Sequence, residues 1–153
     1  MSTLTDVLDA VVSHALASGY FATVNGHEPV NAPVGGGITA GVWVDSLAPV
    51  RSSGLAAGSG LLTLQVRLYS SVVQEPQDAI DPALLDAVNG LMVAYSGDFQ
   101  LGGIAGVRCV DLLGQSGTAL SMRAGYSEQQ DGVYRVMTVT VPILIDDLWA
   151  QVA

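Results

Sequence analysis

Lysine is absent from this chain, and its five cations are all arginine: Arg51, Arg67, Arg108, Arg123 and Arg135. Fourteen carboxylates bring the formal net charge to −9. A nucleic-acid-binding surface needs a basic patch to displace counterions from phosphates, so this balance argues against one. Without lysine there is also no Gly-Lys-Ser/Thr ending, which excludes a P-loop. Cysteine occurs once, as Cys109, so no internal disulfide can form; its apolar surroundings, Ile104 to Leu113, suggest a core thiol. No run reaches the ~18 consecutive apolar residues of a membrane-spanning helix. The start, Met1-Ser2-Thr3-Leu4-Thr5-Asp6, lacks the basic segment of a signal peptide, so a product made in the cytoplasm is expected. Charge of either sign is scarce: 12% of residues, about half the ~25% of ordinary soluble domains. A surface so poor in charge is expected to be covered in part by other protein.

The 153 residues suffice for one domain, 1–153, with a real core. Helical spacing of Leu4, Val7, Leu8, Val11, Val12, Ala15 and Leu16 predicts a first helix from Thr3 to Ser18, ended by Gly19. A short strand is expected within Tyr20 to Val24, then a loop through Gly35-Gly36-Gly37. Ile38 to Val50 and Leu61 to Val73 read as a strand pair joined by a small-residue loop from Arg51 to Gly60. Asp81-Pro82 predicts an N-cap and first residue for a second helix, with Leu84, Leu85, Val88, Leu91, Met92 and Tyr95 as its apolar stripe and Gly97 as its stop. Val93 falls on the opposite, polar face. Three strands follow: Val107 to Leu113, Thr118 to Tyr126 and Val133 to Ile145, the last two joined by a turn at Gln130-Asp131-Gly132. This order predicts an α+β fold, an antiparallel β-sheet with two main α-helices packed on one face.

The last strand is apolar on both faces: Val133, Met137, Val139, Val141, Ile143 and Ile145 on one, Val136, Pro142 and Leu144 among those on the other. A strand with one wet face should be half polar. A partner subunit is the economical cover, which makes Val139 and Val141 candidate interface residues. Pro142 has no N–H to give a ladder, so this strand is expected at a sheet edge or interrupted there. Among so few cations, Arg51 and Arg67 are candidates for intersubunit pairing with carboxylates. Val93 and Trp149 are further interface candidates, and Trp43 is balanced between core and interface.

Catalytic sets are weak. His14 sits on the flank of the first helix and His27 in a loop beside Glu28. No base, nucleophile and orienting group can be placed together, and no Gly-x-Ser-x-Gly elbow occurs, so no catalytic residue is expected. The glycine clusters lead into strands rather than helices, so no nucleotide cofactor is expected either. Asp146-Asp147 would point to opposite faces of a strand, as ordinary solvated charges. Glu75, Asp78 and Asp81 are too sparse for a calcium loop, so no metal is expected.

Several segments carry a resemblance: Arg51-Ser-Ser-Gly-Leu-Ala-Ala, Leu61-Leu-Thr-Leu-Gln-Val-Arg-Leu-Tyr69, Gln74-Glu-Pro-Gln-Asp-Ala-Ile-Asp-Pro82, Tyr95-Ser-Gly-Asp-Phe99, Val110-Asp-Leu-Leu-Gly114, Arg123-Ala-Gly-Tyr126 and Tyr134-Arg-Val-Met137. With them the chain resembles, from the first helix to Trp149, the tail terminator (tail completion) proteins of siphovirus-type actinobacteriophages, whose long tails are flexible and non-contractile. The resemblance implies an α+β structural protein of the virion, without cofactor or enzymatic activity. It implies a ring, usually a hexamer, at the head-proximal end of the tail tube. That ring stops polymerisation of the major tail tube protein and offers a docking surface to a head-completion or neck protein. DNA would pass through the lumen without specific binding, and no membrane is involved. An acidic lumen repels phosphates, which makes Asp45, Glu75, Asp78, Asp98 and Asp131 candidate lining residues. Other readings are a different head–tail joining or minor tail protein, a small binding module using the glycine-rich loops, and a hydrolase built on His27.

Overall fold

The structure is a computed structural model that describes residues 3–19, 21, 23–25, 38–50, 57–71, 80–98, 100–129 and 132–150. In chain order the elements are α1 (Thr3–Ala17), β1 (Thr23–Asn25), β2 (Thr39–Val50), β3 (Ala57–Ser71), α2 (Ile80–Gly97), β4 (Val107–Val110), β5 (Ser121–Gln129) and β6 (Gly132–Ala150). The fold is α+β, as the apolar periodicities predict. One mixed sheet runs β1-β2-β3-β6-β4, with β5 also paired to β6. All pairings are antiparallel except β1 with β2, where Thr23–Asn25 lie parallel to Thr39–Gly41.

Both helices cover the same face of this sheet. Val7, Val11 and Ala15 of α1 and Leu84, Ala87, Val88, Leu91 and Tyr95 of α2 form one apolar cluster with Val42, Leu62, Leu64, Val66, Leu68, Val139, Val141, Ile143 and Ile145. The helical residues recur every three or four positions and the strand residues every second, the periods that put each set on one side of its element. Gly19, at φ 77°, ends α1 in the left-handed conformation that glycine adopts without strain. The buried Tyr95 hydroxyl donates to the Val11 carbonyl at 3.1 Å, joining the two helices inside the core. Burial pushes the Tyr95 phenol above its ordinary range, so it stays neutral and available as a donor.

Three expectations are corrected here. First, β6 is central rather than an edge, and the interruption expected at Pro142 occurs only in its pairing on one side. β3 pairs with it from Tyr134 to Ala150 on one side. On its other side β5 pairs with Gly132–Thr140 and β4 with Ile143–Ile145. Pro142 falls between those two partners. Its carbonyl accepts from the Asp111 N–H at 2.9 Å. The N and O of one strand residue point to the same side, so the missing N–H also faces this junction and costs no bond to β3. Second, the chain covers β6 itself. Val139 and Val141 are fully buried in the cluster beneath the helices, and Val136, Pro142 and Leu144 on the opposite face are buried too. No partner subunit is needed to shield Val139 or Val141, and neither reaches the surface. Third, β3 begins at Ala57, inside the expected loop, and pairs with the end of β6: Ala57 with Ala150, Gly58 with Trp149 and Gly60 with Ile145. Three residues of β6, Asp146 to Leu148, bulge opposite Ser59, and Asp147 turns to φ 54° there. Gly60 admits this bulge, because a Cβ on it would lie 3.0 Å from both Leu148 Cδ2 and Trp149 Cη2.

Candidate assembly interface

The sequence candidates scatter over the molecule. Arg51, Glu75, Asp78 and Asp131 lie outside the described residues, as does His27. Val139 and Val141 are core. Val93 stands on the outward side of α2 and is 62% exposed. Trp149 is partly exposed at the end of β6, with its indole against Gly58 and Gly60. Asp98, just past α2, works inside the fold. One oxygen accepts from the Gly102 N–H at 2.8 Å, and the other lies 2.9 Å from Nε2 of His14 on α1. His14 also stands edge-on to the Tyr95 ring at 5.7 Å.

Arg67, Trp43 and Asp45 belong together on the sheet face opposite the helices. Alternation along β2 turns Trp43 away from Val42, and along β3 it turns Arg67 away from Val66 and Leu68. The Arg67 guanidinium lies over the Trp43 ring at 5.1 Å, and Arg67 Nε donates to Thr138 Oγ1 at 3.0 Å. Thr140 Oγ1 donates to Gln65 Oε1 at 3.1 Å beside them. These residues floor a shallow open depression of about 780 Å³, bounded by Asp45 on β2 and by Ser121, Arg123 and Gly125 on β5.

Three carboxylates are committed to holding this frame. Asp146 at the β6 bulge binds Arg108 of β4 through Nε, at 3.0 Å, and through a second guanidinium nitrogen; Ser59 Oγ of β3 donates to it at 3.1 Å. It therefore ties β3, β6 and β4 together, and is not the freely solvated charge that the Asp146-Asp147 pair suggests. The hydrogen bonds from Arg108 outweigh burial and hold the Asp146 carboxyl below the usual range. Asp111, after β4, is buried and organises the following turn. It accepts the N–H groups of Gly114 and Gln115 at 3.1 Å, the N–H of Ser116 at 2.8 Å, and the Ser116 hydroxyl. Burial raises its proton affinity, but these donors together outweigh burial and hold its carboxyl below the usual range. Asp81 at the start of α2 receives Arg135 Nε at 2.9 Å, while Arg135 also donates to the Gly125 carbonyl at 3.1 Å and lies 4.7 Å from the Tyr126 ring. Half-buried Cys109 has its thiol raised, by burial first and by the Asp111 charge second, which makes it a poorer nucleophile. Among the described residues, no three His, Cys, Asp or Glu side chains gather where they could hold a metal ion. No helix is long and apolar enough to cross a membrane.

Sequence reasoning missed an exposed stretch of β2 that carries two large apolar side chains. From Val44 to Pro49, β2 runs beyond the helices with every residue exposed, including Val44 at 50% and Leu47 at 40%. A signal was available in Pro49, since a proline inside a strand pattern marks an edge. On the opposite margin, β5 presents Arg123 and a Tyr126 that is 71% exposed.

No protein-family model matches the sequence, and no curated protein matches it significantly. Among solved structures, the chain is similar to the PVC sheath/tube terminator of an extracellular contractile injection system, seen by cryo-electron microscopy in its extended state. The TM-score is 0.40 at 13% sequence identity, over 100% of this chain and 61% of that one. This chain thus spans less than two thirds of that protein's length.

Proposed function

We propose that the chain is a structural, non-catalytic protein that closes into a ring, a hexamer in our reading, on the head-proximal end of a non-contractile phage tail. The ring ends growth of the tail tube and offers its far side to a head-completion or neck protein. Support comes from the sequence segments described above, which resemble tail terminators from the first helix to Trp149. The structural observation that carries the reading is the exposed end of β2. A strand end solvated along six residues, Val44 and Leu47 among them, calls for a protein neighbour. The −9 charge suits a conduit for DNA, because an acidic wall repels phosphates and a basic one would hold them.

The deciding experiment is electron microscopy of lysates from a phage lacking the gene. Headless tails of uncontrolled length beside filled, tailless heads are expected. Tails of normal length that fail to join heads would make the chain a joining protein instead. Normal infectious particles would overturn both.

A further inference from the structure

Two exposed apolar patches stand at one level on opposite margins of the sheet. One is the end of β2. A bulge at Asp45 inserts a residue there, so Val44 and Leu47 share a face, opposite Leu64 and Leu62 of β3. Both are exposed, and among the described residues β2 has no strand beside it past Gly41. The other patch is on the far margin, where β4 and β5 pair with the same side of β6. The chain leaves β4 after Val110 and enters β5 at Ser121, and Leu112 and Leu113 lie in the turn between, with Leu113 86% exposed. The registers fix the level. Leu47 is opposite Leu62, Leu62 opposite Ile143, and Ile143 opposite Val110. Likewise Val44 is opposite Leu64 and Leu64 opposite Val141, in the gap between β4 and β5 from which the turn emerges. The turn is held in shape from within. Buried Asp111 accepts from the N–H groups of Gly114, Gln115 and Ser116 and from the Ser116 hydroxyl. The Gly117 N–H donates to the Gly114 carbonyl at 2.9 Å, and the Leu120 N–H closes the base on the Asp111 carbonyl at 3.0 Å. Leu113 is thus held out on a preorganised turn, which loses little backbone freedom when the leucine is covered.

We propose that the Leu112–Leu113 turn of one protomer packs on the exposed β2 end, Val44 and Leu47, of a second copy of this chain. The placement of the two patches argues for a copy rather than a different protein. They lie on opposite margins and on the same rows of the sheet, so a second copy set beside the first brings turn and strand together. Their chemistry agrees. Apolar side chains meet apolar side chains, and from Leu112 to Ala119 the turn carries no charged residue to be stranded in the contact. The contact uses side chains and no main-chain pairing, and it falls beyond Thr39–Gly41, where β1 lies. A turn tip and a strand surface are unlike shapes, so the contact is head-to-tail. Each added subunit leaves one turn and one β2 end uncovered until the chain of subunits closes on itself.

This inference deepens the ring reading and rests on it, and the test separates the two. Leu113 is replaced by the photo-reactive p-benzoylphenylalanine, and light and heavy-isotope-labelled protein are mixed, concentrated and irradiated. A ring by native mass is expected, with light-to-heavy cross-links that map to the β2 stretch from Val44 to Pro49. A ring whose cross-links fall elsewhere would leave the ring standing and overturn this contact. Cross-links to the same turn of the other copy would overturn it in favour of a two-fold pair. A protein that stays monomeric and without cross-links at millimolar concentration would overturn it as well. Cross-links to β2 from a chain whose loss leaves tails normal would keep the contact and overturn the tail-end role. Separately, Leu113→Asp and Leu47→Arg should each weaken assembly at least about tenfold, because each removes a leucine from the contact, and leave the urea midpoint unchanged, because both sites are exposed in the single chain. The two together should restore part of the assembly, because opposite charges then meet. A double variant that assembles no better than either single one would overturn the contact.

Discussion

Val139 and Val44 are both valines in apolar strands, and their environments are opposite. Val139 lies at the centre of the sheet, beneath both helices, with a strand on each side of it. Val44 lies on a marginal strand past the reach of the helices, half exposed. Local sequence makes β6 look the needier strand, because its apolar residues occupy both faces. In the fold, β6 is satisfied within the chain and β2 is not. Whether a strand needs a partner is decided by its rank in the sheet, which no window of ten residues contains.

The contrast breaks most sharply at its buried end. Val139→Asp should lower unfolding stability by at least about 4 kcal/mol, because it puts a charge without a counterion into the core. Val44→Asp should change stability by less than about 0.5 kcal/mol. Urea midpoints of the two variants measure this directly, and similar losses would mean that the two strands are not so different.

The next effect concerns the carboxylates around β6. Asp111→Ala removes the acceptor of three N–H groups and should cost about 2–3 kcal/mol. The sign of the pH dependence follows. Asp111 and Asp146 both hold protons less readily when folded than when unfolded. Their contribution is therefore complete above the unfolded carboxylate value of about 4 and is lost as pH falls through their folded values. Urea midpoints should be level from pH 7 to about 5 and fall below about 4. In an Asp111→Asn/Asp146→Asn double variant that fall should be shallower. A midpoint that rises on acidification would contradict the assignment.

Smaller effects sharpen the picture. Tyr95→Phe should cost about 1–1.5 kcal/mol by leaving the buried Val11 carbonyl without its donor. Arg108→Ala, at a partly exposed pair, should cost about 1 kcal/mol or less, and less again at high salt.

Much of the frame was legible in the chain. Both helices announce themselves by three-and-four spacing, and the α1 stop at Gly19 by a residue that tolerates positive φ. The inward sides of β2 and β3 follow from alternation at Val42, Leu62, Leu64, Val66 and Leu68. The misreadings fall where a distant partner decides the outcome. Gly58-Ser59-Gly60 looks like a loop because its residues are small. Gly60 is small because Leu148 and Trp149 pack against it from across the sheet, within 3.0 Å of where a Cβ would stand. Asp146-Asp147 looks like a strand end because it is charged, yet Arg108 and Ser59 take up Asp146 and the strand continues beyond it. Two prolines carried the same local signal with different meanings: Pro49 lies on a true margin, and Pro142 faces the junction between two partners.

The rank of β6 also bears on how the chain is made. β3 and β6 are far apart in sequence; Arg67 and its partner Thr138 are separated by 71 positions. During synthesis β3 emerges long before the strand that will flank it, and α2 follows while the middle of the sheet is still missing. The nascent chain therefore carries an open, strongly apolar β3 margin for the time it takes to translate that interval. Only when β6 arrives, with β5 already turned against it in a local hairpin, can the two halves of the sheet be zipped together. Changing translation speed through the interval from α2 to β5 is therefore expected to change the folded yield, which the soluble fraction made from synonymous fast- and slow-codon genes would measure.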